Sequence, residues 1–288
     1  MVFTFNFHNT TILVCASLSI LGCLVIIIFS LFFKKLRSYT FRLVTYLAIA
    51  DLFASISKNQ LGFIIPGYEN SAWCLTQAIL QNYSQMASLF ITGIISFSLY
   101  EMIVNSNMSI AKNEKLFITG SFLLPIVLTP LPLITNSYGD SNGWCWVKYN
   151  ELIDTFWMIF EFYGLLMAMI LMNAYFYYRI YKRLAYDECL SLDREVVKKV
   201  MSRIKWYPLI LMICFGPSLI HRIYYLIQPS ENMWINLASA SMCALYGFIN
   251  AVVYGMTKKV RTVFKISLKN LFFPHKTIHS LSNTHSMV

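Results

Sequence analysis

From Ile12 to Phe33 the chain runs 22 residues without one charged side chain. About 20 apolar residues let a helix cross the hydrocarbon of a bilayer. Lipid offers no partner to a backbone N–H or C=O, so such a stretch is held to a helix that satisfies both internally. The run exceeds the apolar core of a secretory signal and no Lys or Arg precedes it, so it reads as a retained span. Six further apolar runs follow. With boundaries good to about four residues, the spans are predicted at 11–33, 41–65, 73–104, 115–134, 151–178, 204–227 and 233–256. Breaks between them carry turn chemistry, as at Pro66-Gly67, Gly139-Asp140-Ser141-Asn142-Gly143 and Pro229-Ser230. Composition agrees, with 12% charged residues against about 25% in ordinary soluble domains. The expected fold is an all-α membrane protein, a seven-transmembrane helix bundle over residues 1–257. Residues 258–288 are expected as a short amphipathic helix and a cytoplasmic tail. In that segment Val260, Val263, Phe264, Leu268, Leu271 and Phe272 recur at helical spacing opposite Lys258, Lys265 and Lys269.

A net charge of +10 would suit a nucleic-acid partner if the basic residues were spread at random. They are not. Twenty of the 23 Lys and Arg fall after spans one, three, five and seven. The positive-inside rule makes those faces cytoplasmic and sets the N-terminus outside, as in a multi-pass protein of the plasma membrane. The partner of the basic excess is then the lipid bilayer, and nucleic acid is excluded. Two of the seven cysteines stand apart on the outer side. Cys74 begins span three and Cys145 lies in the longest outer loop, where a disulfide persists; two free thiols are the other reading. Cys15, Cys23, Cys214 and Cys243 fall inside spans, where a thiol packs as a small hydrophobe.

Polar residues inside the spans are the candidates for function. Span three carries Gln77, Gln81, Gln85, Ser88, Thr92 and Ser96 at steps of three or four, which puts all six on one helix face. Such a stripe serves hydrogen bonds between helices, or its outer half, Gln77 to Gln85, lines a wet pocket. An ionisable group in the hydrocarbon costs ~2.5 to 3.5 kcal/mol on insertion scales and defaults to a functional reading. Asp51 sits mid-span two, and Lys58 lies two turns, about 10.5 Å, further along the same face. Glu161 in span five and His221-Arg222 in span six fall in the outer halves of their helices. Lys58, Gln81, Glu161, His221 and Arg222 are thus expected to form an outer site with a positive majority, suited to a small anionic ligand. Asp51, Asn250 and Tyr254 are expected to form a buried activation network nearer the cytoplasm. Pro208 and Gly216-Pro217 invite kinks in span six.

Several segments, in order and spacing, resemble the cyclic-AMP-receptor-like (class E) G-protein-coupled receptors. They are Lys35-Leu36-Arg37-Ser38, Phe41-Arg42-Leu43, Tyr46-Leu47-Ala48-Ile49-Ala50-Asp51-Leu52, Trp144-Cys145-Trp146, Tyr207-Pro208-Leu209-Ile210-Leu211, Pro217 with His221-Arg222-Ile223, and Gly247-Phe248-x-Asn250-x-x-Val253-Tyr254-Gly255. The resemblance implies a ligand outside, cyclic nucleotides being one class of small anion that qualifies. It also implies a heterotrimeric G protein inside, activation by outward movement of span six, and the Cys74 to Cys145 bridge. The end of span three departs from seven-helix receptors in general, reading Leu99-Tyr100-Glu101-Met102 with no Asp-Arg-Tyr triplet. The G-protein contact is expected on the basic ends of spans five and six, Arg179, Lys182, Arg183, Lys198, Lys199 and Arg203. No cofactor is called for: span seven has no Lys to carry retinal, and only His221 of the five histidines lies in a span, too few for a catalytic metal site. The alternative function is a small multi-pass transporter with Asp51, Lys58, Glu161 and Arg222 as its substrate path, though the halves show no internal repeat.

Overall fold

The computed structural model describes residues 2–33, 37–58, 71–141, 145–148, 151–186, 206–228 and 232–255, with 260 and 262. These residues form long helices. α1 (Val2–Phe32), α2 (Tyr39–Ser57), α3 (Ala72–Ile103) and α4 (Glu114–Leu128) are followed by α5 (Leu152–Met158) and α6 (Gly164–Tyr186), which a π-turn at Ile159–Tyr163 joins into one rod. α7 (Trp206–Ile227) and α8 (Met233–Asn250) complete the bundle, α8 running on into a second π-turn, Ala251–Gly255. Among the described residues six stretches are long and apolar enough to cross a membrane: Phe7–Phe32, Tyr39–Ser57, Ala72–Ile103, Met108–Thr135, Leu152–Leu184 and Met233–Val253. The remaining expected span, the sixth at 204–227, corresponds to α7, whose apolar part, Leu209–Tyr225, is shorter.

Several boundaries depart from expectation, among them the end of the fifth span, where α6 runs on to Tyr186 past residue 178. α1 begins at Val2 rather than near residue 11, since no Gly or Pro interrupts the start. α2 stops at Ser57 with Lys58 as its cap, short of residue 65. The expected turns at Pro66-Gly67 and Pro229-Ser230 and the amphipathic segment lie outside the described residues, except Val260, which is buried in the core, and Thr262.

α3 is the hub. It packs against α2, α4 and α6, while α1 lies between α2 and α8, and α7 joins α8 to α6. The burial of its whole polar stripe follows from that central position. Caps supply the backbone groups that helix ends leave unpaired. Ser71 accepts from the Cys74 N–H at the start of α3, and Asn232 accepts from the Trp234 and Ile235 N–H groups at the start of α8. Two arginines expected merely to mark topology also hold helix ends. Arg37 donates to the Ser30 and Leu31 carbonyls at the end of α1, at 2.8 and 2.7 Å, where a cation suits the helix dipole. Arg42 near the start of α2 grips both oxygens of Glu114 at the start of α4 and donates to the Arg37 carbonyl. Glu101, the departure noted at the end of α3, accepts from the Asn105 and Asn107 amides and so shapes the turn that follows.

At the opposite end of α3 a feature appears that turn chemistry alone did not suggest. β1 (Tyr138–Asp140) pairs antiparallel with β2 (Cys145–Val147), Tyr138 opposite Val147 and Asp140 opposite Cys145. Gly139-Asp140 is therefore strand rather than turn. The hairpin packs on α3 and is pinned there by the Cys74–Cys145 disulfide. Trp146 points inward and is buried in the core. Cys15, Cys23, Cys214 and Cys243 are free and buried.

Candidate functional site

Under the hairpin, six helical segments and Trp146 surround a cavity in the bundle centre. Lys58 at the end of α2, Gln81 and Gln85 of α3, Tyr163 of the π-turn, Ser218 and Arg222 of α7, and Cys243 of α8 line it. Its volume, as swept by the centre of a water molecule, is about 30 Å³. One water needs ~10–15 Å³ by that measure, so two or three water-sized particles fit, far short of the ~300 Å³ at which small-molecule sites begin.

Three of the five residues expected at the ligand site meet here. Lys58 turns into the bundle and its Nζ donates to the Cys243 carbonyl at 2.8 Å. Arg222 reaches the hairpin, donating to Ser141 Oγ at 3.1 Å and covering the Trp146 ring at 5.9 Å. Gln81 lies between them on α3, with Gln85 one turn below. The oxygens of both amides are buried without a hydrogen-bond partner. The other two residues sit elsewhere. His221 is buried but outside the cavity lining. Glu161 points to a separate cluster, because the π-turn that carries it turns it towards α3: Asn82 Nδ2 donates to its carboxylate and to the Tyr138 hydroxyl. Among the described residues, Lys58 and Arg222 therefore line the cavity with no carboxylate beside them, and Glu161 is engaged outside it.

Asn82 was not singled out in the sequence. Fully buried, it accepts from Trp146 Nε1 at 3.3 Å while donating to Tyr138 and Glu161, so it ties hairpin, α3 and π-turn together. Tyr138 in turn donates to the Thr129 carbonyl after α4. Burial, with the Glu161 carboxyl beside it, holds the Tyr138 phenol well above its ordinary value, so it stays a donor. Asn82 follows Gln81 directly and so falls off the i, i+4 stripe, onto the face turned to α5 and α6. The stripe itself divides. Gln77 donates to the Ser57 carbonyl, Ser88 to Asp51, and Thr92 meets the Tyr246 hydroxyl. Gln77 is thus an interhelical tie rather than part of the cavity lining.

One level further from the hairpin, Asp51 is fully enclosed. Asn250 Nδ2 donates to one carboxylate oxygen at 2.7 Å and Ser88 Oγ to the other at 2.5 Å. The expected Asp51 and Asn250 pair is therefore in contact, with Ser88 as its third member. The Tyr254 side chain lies outside the described residues. Gly247 permits the approach of α8: a Cβ there would stand 3.2 Å from the Asp51 Cβ and 3.1 Å from Cys23 Sγ. Beside it Ser19 of α1 inserts its hydroxyl into the α8 ladder, donating to the Ala244 carbonyl and accepting from the Phe248 N–H.

Of the expected G-protein contact, Arg179, Lys182 and Arg183 stand at the end of α6 remote from the hairpin. Arg179 donates to the Tyr175 hydroxyl and lies 6.0 Å from the Tyr100 ring of α3, and Lys182 and Arg183 are exposed. Lys198, Lys199 and Arg203 lie outside the described residues.

Comparison with known proteins bears on what such a bundle is. The family model described as slime mold cyclic AMP receptor matches residues 3–273. The chain is 27% identical over 272 residues to G-protein coupled receptor 1 of Arabidopsis thaliana, covering 91% of this chain and 81% of that one. It is 23% identical over 245 residues to Cyclic AMP receptor-like protein A of Dictyostelium discoideum, with 84% and 62% covered. It is 26% identical over 160 residues to G-protein coupled receptor 157 of Homo sapiens, with 53% and 47% covered. Together with six apolar helices of membrane-crossing length, a match over nearly the whole sequence means that the chain belongs to the slime mold cyclic AMP receptor family, as a multi-pass membrane protein of the G-protein-coupled receptor type.

Proposed function

We propose that this protein crosses the plasma membrane seven times, with α7 as the sixth crossing and the hairpin end outside. It senses a small anionic ligand there and activates a heterotrimeric G protein on the cytoplasmic side. The observation that carries the reading is the cavity itself, with Lys58 and Arg222 in its lining and no carboxylate among its described lining residues. Two desolvated cations favour an anion strongly, and a phosphate or carboxylate suits the planar fork of Arg222 and the point charge of Lys58. The Gln81 and Gln85 amides, whose oxygens are unpaired, then read the rest of the ligand.

An organic anion needs more room than the resting cavity has, so its entry widens the space between α3 and α7. Ser218 and Arg222 project from α7 into the cavity, and Pro217 beside them lacks the N–H that would tie this turn to the one before. Widening at that point swings the far end of α7 outward, the movement expected to admit a G protein. Asp51, Ser88 and Asn250 lie on the path between the two ends and re-form their contacts as α7 and α8 shift.

The test is a screen of small anions against the purified receptor in lipid with a heterotrimeric G protein, read as nucleotide exchange. Any agonist found should lose potency at least tenfold, about 1.4 kcal/mol, in Lys58→Ala and Arg222→Ala at unchanged surface expression. Uptake of substrate into proteoliposomes, without exchange on any added G protein, would replace the receptor by the transporter.

A further inference from the structure

The cavity between Lys58 and Arg222 poses a problem before any agonist arrives. Lys58 is drawn into the bundle and bonds the Cys243 carbonyl, a neutral acceptor. Among the described residues no carboxylate lines the cavity: Asp51 is held by Ser88 and Asn250, and Glu161 accepts from Asn82 through one oxygen while its other oxygen is buried without a partner. A cation enclosed in a bundle without a close counter-charge is strongly destabilising, and a lysine ammonium has three donors to place. The lining supplies what a small anion requires: an ammonium, a guanidinium, the Ser218 hydroxyl, and the Gln81 and Gln85 amides, 4% and 5% exposed, each of which presents N–H or oxygen by a simple flip. The space open to a water-sized centre, about 30 Å³, is too small for an organic ligand and right for one monatomic anion with a water or two.

We propose that the resting receptor holds a halide, chloride in the cell, in the cavity between Lys58 and Arg222. It neutralises the lysine, takes donors from Ser218 and a flipped glutamine amide, and is displaced when the anionic group of an agonist enters. Chloride therefore acts as a competitor of agonist and a stabiliser of the resting bundle. This deepens the anionic-ligand reading and rests on its two cations, yet it needs neither agonist nor G protein, so the two fail separately.

The test is thermal unfolding of the purified receptor in sodium chloride against sodium gluconate at constant ionic strength, with bromide in parallel. Chloride and bromide should raise the midpoint saturably, by roughly 5 °C at a hundredfold excess over the dissociation constant. Lys58→Gln and Arg222→Gln should abolish the rise, and Lys148→Gln, in the outer loop, should keep it. Should the cavity variants fail to fold, chloride NMR line broadening by the wild-type receptor, reversed by excess thiocyanate, reads the same site. Equal midpoints in chloride and gluconate, together with no broadening, would overturn the proposal while leaving the agonist screen unaffected. So would a rise that never saturates and persists in both cavity variants, since that is salt acting on the surface.

Discussion

Asp51 is the residue whose surroundings are most fully specified. Its two oxygens each accept one hydrogen bond from a different helix, Ser88 on α3 and Asn250 on α8. Replacing Asp51 by Asn keeps the volume but puts an NH2 where an acceptor stood, leaving a donor facing Ser88 or Asn250. Losing one such bond in a buried place costs about 1–3 kcal/mol, and the cost falls unequally on resting and active arrangements if these contacts re-form on activation. Asp51→Asn should therefore shift basal and stimulated nucleotide exchange at near-normal expression, and the double exchange Asp51→Asn with Asn250→Asp should bring activity back towards wild type. Normal signalling in the single variant would remove the network from the mechanism. This pair was legible in the sequence because each polar residue is isolated in an apolar span, so it has to find its partner in another helix. Asn82 and Ser19 were not legible, since one sits beside a glutamine that already explains its helix and the other is a serine small enough to hide in any span.

Among the elements, the rod of α5 and α6 holds the feature least visible in sequence. A π-turn adds one residue to a helical circuit, and no composition signals it. Its physical trace is Gly164, whose N–H closes the wide turn onto the Ile159 carbonyl, where a Cβ would approach that oxygen to 2.7 Å. Gly164→Ala should therefore be resisted despite the better helix propensity of alanine. We expect a loss of about 1–3 kcal/mol, measured as a lower unfolding midpoint, because ordinary winding would turn Glu161 and Phe162 off their partners; a raised midpoint would mean that the turn is dispensable. The hairpin is a second such element. Its strands are three residues each, too short to show a period, yet its anchor was readable from two cysteines on the same predicted face. Closing a separation of 71 residues should contribute about 4 kcal/mol by loop entropy. Cys74→Ala should lower the midpoint accordingly and loosen Trp146 over the cavity, and a receptor unfolding at the wild-type temperature without the bridge would exclude that role. The long spans themselves were legible nearly to the residue where lipid enforces the helix, as for α3, and least so where a polar cap ends one early, as at Lys58.

At the scale of the whole molecule the charges are divided by position along the bundle. The cavity end presents Lys58 and Arg222 inward, where few charges are tolerated and each acts on what enters. The opposite end presents many basic side chains outward. Arg179, Lys182 and Arg183 lie 15 to 19 residues beyond the start of α6 at Gly164, roughly 22 to 28 Å at 1.5 Å per residue. Lys198, Lys199 and Arg203 follow them in sequence before α7 begins. Charge so distributed attracts an anionic lipid surface whatever its detailed arrangement, so the basic face alone does not make a G-protein contact. What distinguishes the two roles is their response to a change of sign. Attraction to lipid sums over all the basic residues and survives the loss of two, whereas a protein contact depends on particular neighbours, and a like charge placed opposite a partner carboxylate costs several kcal/mol. The double reversal Lys198→Glu with Lys199→Glu should therefore cut agonist-stimulated nucleotide exchange at least tenfold, while agonist affinity at the hairpin end and surface expression stay at wild-type values. A compensating reversal in the transducer, acidic to basic, should restore part of the loss. Undiminished exchange by the double variant would return these lysines to lipid and topology, and would shift the coupling surface to the exposed Lys182 and Arg183 at the end of α6.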